Sequence, residues 1–194
     1  VEENATTVQC PVAAGRSSTP SAPASLAVRA RPWLVPGALA ALGAVLFTWR
    51  LGASSFFIDE ATSLTEARGS LAHLLSAVRL HETSPPTYAV FLHVWLGLFG
   101  SHGEVVARLP SALAGVGLVL AVWYLARLLI DPPAALIAAL LTLCSPLVLE
   151  YAQQARVYAM VMLVATVTAI AALKAVRQSS GRWLVASAFA AVLT

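Results

Sequence analysis

The chain has 194 residues, of which 59% are hydrophobic and only 11% charged, with a formal net charge of +3. Soluble domains carry about a quarter charged residues, so a mean hydropathy of +0.79 excludes an ordinary soluble domain and points to a membrane protein. The charge is too small and too scattered for a nucleic-acid partner.

The two cysteines, Cys10 in a polar stretch and Cys144 inside an apolar run, make neither a disulfide framework nor a metal quartet. His73, His81 and His102 show no metal-ligand spacing, and His93, on an apolar segment, reads as a structural histidine. No metal and no cofactor are expected.

In chain order, residues 1–31 are rich in Ala, Ser, Thr and Pro, without the apolar core of a signal peptide, and read as a disordered cytoplasmic tail. Spans are expected over about 33–50, 105–127, 132–150 and 157–174, each near the ~20 residues needed to cross a bilayer. A fifth apolar segment at 183–194 is too short to cross. The chain therefore reads as the N-terminal portion of a longer transmembrane domain covering 32–194. The fold class expected is all-α, a polytopic transmembrane helical bundle.

One apolar run, "PPTYAVFLHVWLGLFG" from Pro85 to Gly100, decides the topology. If it spans, the loop holding Lys174, Arg177 and Arg182 falls outside, against the positive-inside tendency. If it lies in the interface, that loop and Arg127 fall inside with Arg16, Arg29 and Arg31. Its length and its Pro-Pro and Gly bounds favour the interfacial reading. The segment 52–104 is then a large outer loop. Within it, Leu64, Ala67, Leu71, Leu74, Leu75 and Val78 recur at helical spacing, predicting an amphipathic surface helix that Gly69-Ser70 breaks. "HETSPP" predicts a turn.

This topology gathers ionisable and polar groups on one face, and such groups at membrane depth mark function. Asp59 and Glu60 suit either the solvated start of a helix, where acids favour the dipole, or a site. Helical neighbours point about 100° apart, so the pair supplies one general base and not a dyad. Arg108 and Arg156 each sit at the mouth of a span, as interfacial anchors or as clamps whose forked donors grip phosphate oxygens. In "LEYAQQARVY", Glu150 and Gln154 share a helix face, as do Gln154 and Tyr158. These groups either bind sugar hydroxyls or satisfy backbone near Pro146.

Four quoted pieces, in order, carry a resemblance. "FFIDEATS" resembles the first-loop Asp-Glu motif of the GT-C superfamily of glycosyltransferases, as found in protein O-mannosyltransferases and the lipid A aminoarabinose transferase type. "HETSPPTYAVFLHVWLGLFG" resembles their "HPPLYYLLLHLWLRLFG". "EVVARLPSALAGVGLVLAVWYLARLL" is similar to their "RLPSALFG" span, and "EYAQQARVYAM" to their "YSQEARMYAL".

The resemblance implies an inverting transfer from a polyprenyl-phosphate-linked sugar to a hydroxyl of a protein or glycolipid acceptor. The transfer would occur on the outer face of a bacterial inner membrane, with membrane lipid as the other partner. It implies Asp59 as the base, Glu60 in support, and Arg108 and Arg156 near the lipid phosphate. Glu150, Gln154 and Tyr158 would lie at the donor site. Two positions depart from the pattern: Gln154 replaces the Glu of "SQEAR", and Ser84 replaces the His before Pro-Pro. The alternative is a lipid-phosphate-binding transporter or flippase-like carrier without catalysis.

Overall fold

A computed structural model describes residues 33–49, 51–52, 58–68, 86–100, 103–178, 183 and 185. The expected tail, the surface helix beyond Arg68, the "HETSPP" turn and most of the last apolar segment lie outside the described residues. Among these residues the fold is all-helical, with α1 (Leu34–Thr48), α2 (Ile58–Arg68), α3 (Pro86–Phe99), α4 (Glu104–Leu129), α5 (Pro132–Leu143), α6 (Pro146–Ala152) and α7 (Tyr158–Gln178).

Helices α4 and α7, of 26 and 21 residues, are long and apolar enough to cross a membrane, roughly 39 and 31 Å at 1.5 Å per residue. Glu104 and Arg127 occupy the first and last turns of α4, where the helix dipole favours an acid and a base. Helix α1, with 15 residues, and the apolar part of α3, Tyr88–Phe99, are shorter apolar helices. The exposed side chains Leu113, Ile137, Leu141, Leu147 and Val176 are the apolar surface that a bilayer covers.

The expected continuous span 132–150 is broken. Helices α5 and α6 meet at a bend of 59°. Pro146 has no N–H to continue α5, and Ser145 before it is extended, with ψ 122°, because the proline ring disfavours a helical residue at that position. The pair still passes as one bent span, giving two to three spanning elements.

Helix α4 is the centre of the bundle, packed against α1, α5 and α7. Its small residues Ala112, Ala114 and Gly115 are buried and let backbones approach, the main source of helix association in lipid. A Cβ at Gly115 would stand 2.8 Å from the Ala152 Cβ and 3.1 Å from Phe47. The alanine methyl cannot rotate away, so backbone must shift. Gly115→Ala is expected to destabilise the fold by about 1–3 kcal/mol, read as a lower SDS-unfolding midpoint.

Pro110 lies inside α4 and cannot donate to the carbonyl four residues earlier. The Trp95 indole N–H takes that vacated Val106 carbonyl at 2.9 Å, tying α3 to the start of α4. The His93 Nδ1 bonds the Ala67 carbonyl at 2.8 Å, which ties α3 to α2. A carbonyl only accepts, so Nδ1 carries the proton, and His93 is structural as expected. At the far end of α4, the Lys174 ammonium stands 4.8 Å from the Tyr124 ring centre and 4.6 Å from that of Trp183. The Arg127 guanidinium stands 5.7 Å from Trp123. Such basic and aromatic pairs anchor helix ends at a membrane interface.

Candidate functional site at the α2–α4 junction

The site is built where α2, the start of α4 and the irregular segment 153–157 meet. Glu60 and Arg108 are almost fully buried, at 1% and 3% exposure. Arg108 donates from Nε to Glu60 Oε1 at 3.2 Å and from Nη2 to Oε2 at 2.9 Å, a forked pairing of planar groups. Its Nη1 donates to the Leu51 carbonyl at 2.8 Å. Glu60 Oε1 also accepts from the Ala155 N–H at 2.6 Å. One carboxylate thus joins α2, α4 and the bend before α7.

Irregular backbone needs partners for the polar groups that a helix would have paired, and segment 153–157 finds several in the protein. The Ser111 hydroxyl donates to the Arg156 carbonyl at 3.2 Å. The Arg156 N–H donates to the Gln154 carbonyl at 2.9 Å. The Gln153 amide donates to the carbonyls of Leu46 and Trp49 at 3.2 and 3.3 Å, which serves the C-terminal end of α1.

The sequence-derived candidates therefore separate. Asp59 is the second residue of α2, beside Glu60. Glu60 and Arg108 form the buried junction. Arg156 is half-buried in the bend, with its guanidinium 5.0 Å from the Tyr158 ring centre, and the Tyr158 ring packs against Tyr151, centres 4.7 Å apart and planes tilted by 39°. Glu150 accepts from the Gln154 amide at 3.2 Å on the exposed side, the four-residue pairing expected. Gln154 and Tyr158 do not share a helix face, because α6 ends at Ala152 and α7 begins at Tyr158.

Two polar residues escaped the sequence reading. Ser111 lies one turn after Arg108, and that spacing was the only available signal. Tyr88 is buried at 4% exposure in a helix whose other residues look like core. Burial raises its phenol pKa above the ordinary value; Ser111 and Arg156 oppose the shift, and Glu60 adds to it. Ser111 is near enough to weigh on Tyr88, yet the Tyr88 hydroxyl reaches no hydrogen-bond geometry with any partner among the described residues.

Beside this junction an apolar cavity of about 340 Å³ lies between α3, α4 and α7. Phe91, Trp95, Leu113, Met160, Leu163 and Val164 line it. It is large enough for a stretch of hydrocarbon chain and offers almost no polar contact.

No match was found among curated proteins or solved structures. The family model described as dolichyl-phosphate-mannose-protein mannosyltransferase matches residues 83–194, which is more than half of the chain and includes Arg108, Ser111 and the bend at 153–157. With its membrane-length helices, the chain belongs to this family of integral-membrane, GT-C-type glycosyltransferases.

Proposed function

We propose that this chain carries the acceptor-activating end of a transferase that moves a sugar, with inversion, from a polyprenyl-phosphate donor to an acceptor hydroxyl at the outer face of the membrane. The observation that carries the reading is the Glu60–Arg108–Ala155 junction. It fixes α2 against the bend that holds Arg156, although Asp59 and Glu60 precede the family match.

In this reading the two adjacent carboxylates divide the work. Glu60 is spent on structure, and position 59, offset by about 100° on the helix, supplies the base. The acceptor oxygen attacks the anomeric carbon as its proton passes to the Asp59 carboxylate. The bond from that carbon to the phosphate oxygen breaks, and its electron pair leaves with the phosphate, which becomes a dianion. Arg156 supplies positive charge where that charge develops. Arg108, paired with Glu60, acts by holding the frame. The apolar cavity takes part of the donor's isoprenoid chain.

Binding of polyprenyl-phosphate mannose to the purified protein in nanodiscs, followed by transfer to a hydroxyl-bearing peptide, tests the proposal. Saturable binding that weakens about ten-fold in Arg156→Ala, as for loss of a charge-assisted hydrogen bond, is the expected result. A protein that does not distinguish polyprenyl-phosphate mannose from the free polyprenol would overturn it.

A further inference from the structure

Among the described residues, the buried side-chain polar atoms around the α2–α4 junction have hydrogen-bond partners, with one exception. Among the described residues the Tyr88 hydroxyl is the buried side-chain atom without a hydrogen-bond partner. Buried polar groups are nearly always bonded, and one that is not requires an explanation. A phenylalanine would fill the same space without that penalty, so the hydroxyl has a use that the protein by itself does not reveal.

Its position says what that use is. Tyr88, Phe91 and Trp95 are spaced i, i+3 and i+7 on α3, a single helix face, and Phe91 and Trp95 line the apolar cavity. On α4, Ser111 and the cavity-lining Ala114 are likewise one turn apart. Tyr88 does not itself line the cavity; it packs one helical turn before Phe91, on the side where Ser111, Arg156 and Glu60 are near enough to act on its hydroxyl. A phenol held neutral by burial is a donor, so it seeks an acceptor. Glu60 is already committed to Arg108 and Ala155, and the Arg156 charge that acts on Tyr88 favours an acceptor that bears negative charge.

We infer that Tyr88 is a ligand-binding residue whose hydroxyl donates a hydrogen bond to a phosphate oxygen at the head of a lipid chain seated in the apolar cavity. The inference rests on the proposed donor and adds a residue and an atom to it. The bond strengthens as negative charge builds on the leaving phosphate, so Tyr88 contributes to turnover as well as to affinity.

The test is Tyr88→Phe in the whole chain, purified in nanodiscs, with three probes: polyprenyl phosphate, the corresponding polyprenol, and inorganic phosphate. The expected result is an unfolding midpoint without ligand that is unchanged or higher, because no bond is lost. Affinity for polyprenyl phosphate falls about ten-fold, the usual size for loss of a hydrogen bond to a charged group, while polyprenol binding is unchanged. Inorganic phosphate competes weakly or not at all if the ligand is a lipid phosphate; full competition assigns Tyr88 to free phosphate and overturns the lipid part. Equal affinity of the variant and the parent for polyprenyl phosphate overturns the role of Tyr88 and leaves the donor reading intact. A lowered midpoint without ligand shows that the hydroxyl serves the fold, which also overturns it. Failure of the parent protein to bind polyprenyl phosphate removes both proposals together.

Discussion

Glu60→Ala is expected to lower stability by about 3–5 kcal/mol, the usual cost of stranding one partner of a buried ion pair. The mechanism is specific. Arg108 would keep its charge at 3% exposure with the Glu60 carboxylate gone, and the Ala155 N–H would lose the acceptor it holds at 2.6 Å. SDS-unfolding midpoints of the single variants Glu60→Ala and Arg108→Ala and of the double variant check this. The double variant should cost clearly less than the sum, since removing both charges removes the stranded one. Additive losses would mean that the two groups do not act as a pair. Loss of activity in either single variant follows from loss of the frame and says nothing about contact with the substrate.

Asp59→Asn is expected to have the opposite profile. The side chain keeps its size and gives up its basicity, so turnover should fall by about 10²–10⁴-fold, the range that general-base catalysis supplies. Donor affinity and the unfolding midpoint should stay near those of the parent. A kinetic split of this kind, with kcat lost and donor binding kept, marks an interaction made in the transition state. It separates a transferase from a carrier that binds lipid phosphate without chemistry, because the carrier would tolerate the change.

How far these roles were legible in the sequence differs from residue to residue. The apolar runs identified α4 and α7 to within a few residues, because length and charge spacing are local properties. The break at Ser145–Pro146 was written in the chain, yet the run around it is apolar throughout, and hydropathy alone does not register a bend. In the site, sequence drew attention to Asp59, Glu60, Arg108 and Arg156, since charges in an apolar chain stand out. Their pairing was out of reach. Glu60 meets Arg108 across 48 positions and Ala155 across 95, and helix spacing reports only neighbours three or four residues away. For the same reason Arg108, read from its place at a helix mouth as an anchor or an anion clamp, is found in the buried frame. Tyr88 and Ser111 were silent because a tyrosine and a serine in an apolar helix resemble ordinary core.

The division of labour between two adjacent carboxylates is tested most directly by preparing Asp59→Asn and Glu60→Gln together and measuring turnover and unfolding midpoint on the same samples. Asp59→Asn is expected to lower transfer by about 10²–10⁴-fold at an unchanged midpoint, while Glu60→Gln lowers the midpoint because a neutral amide no longer balances the Arg108 charge. Retained transfer in Asp59→Asn, or a midpoint that falls equally in both variants, would contradict that division.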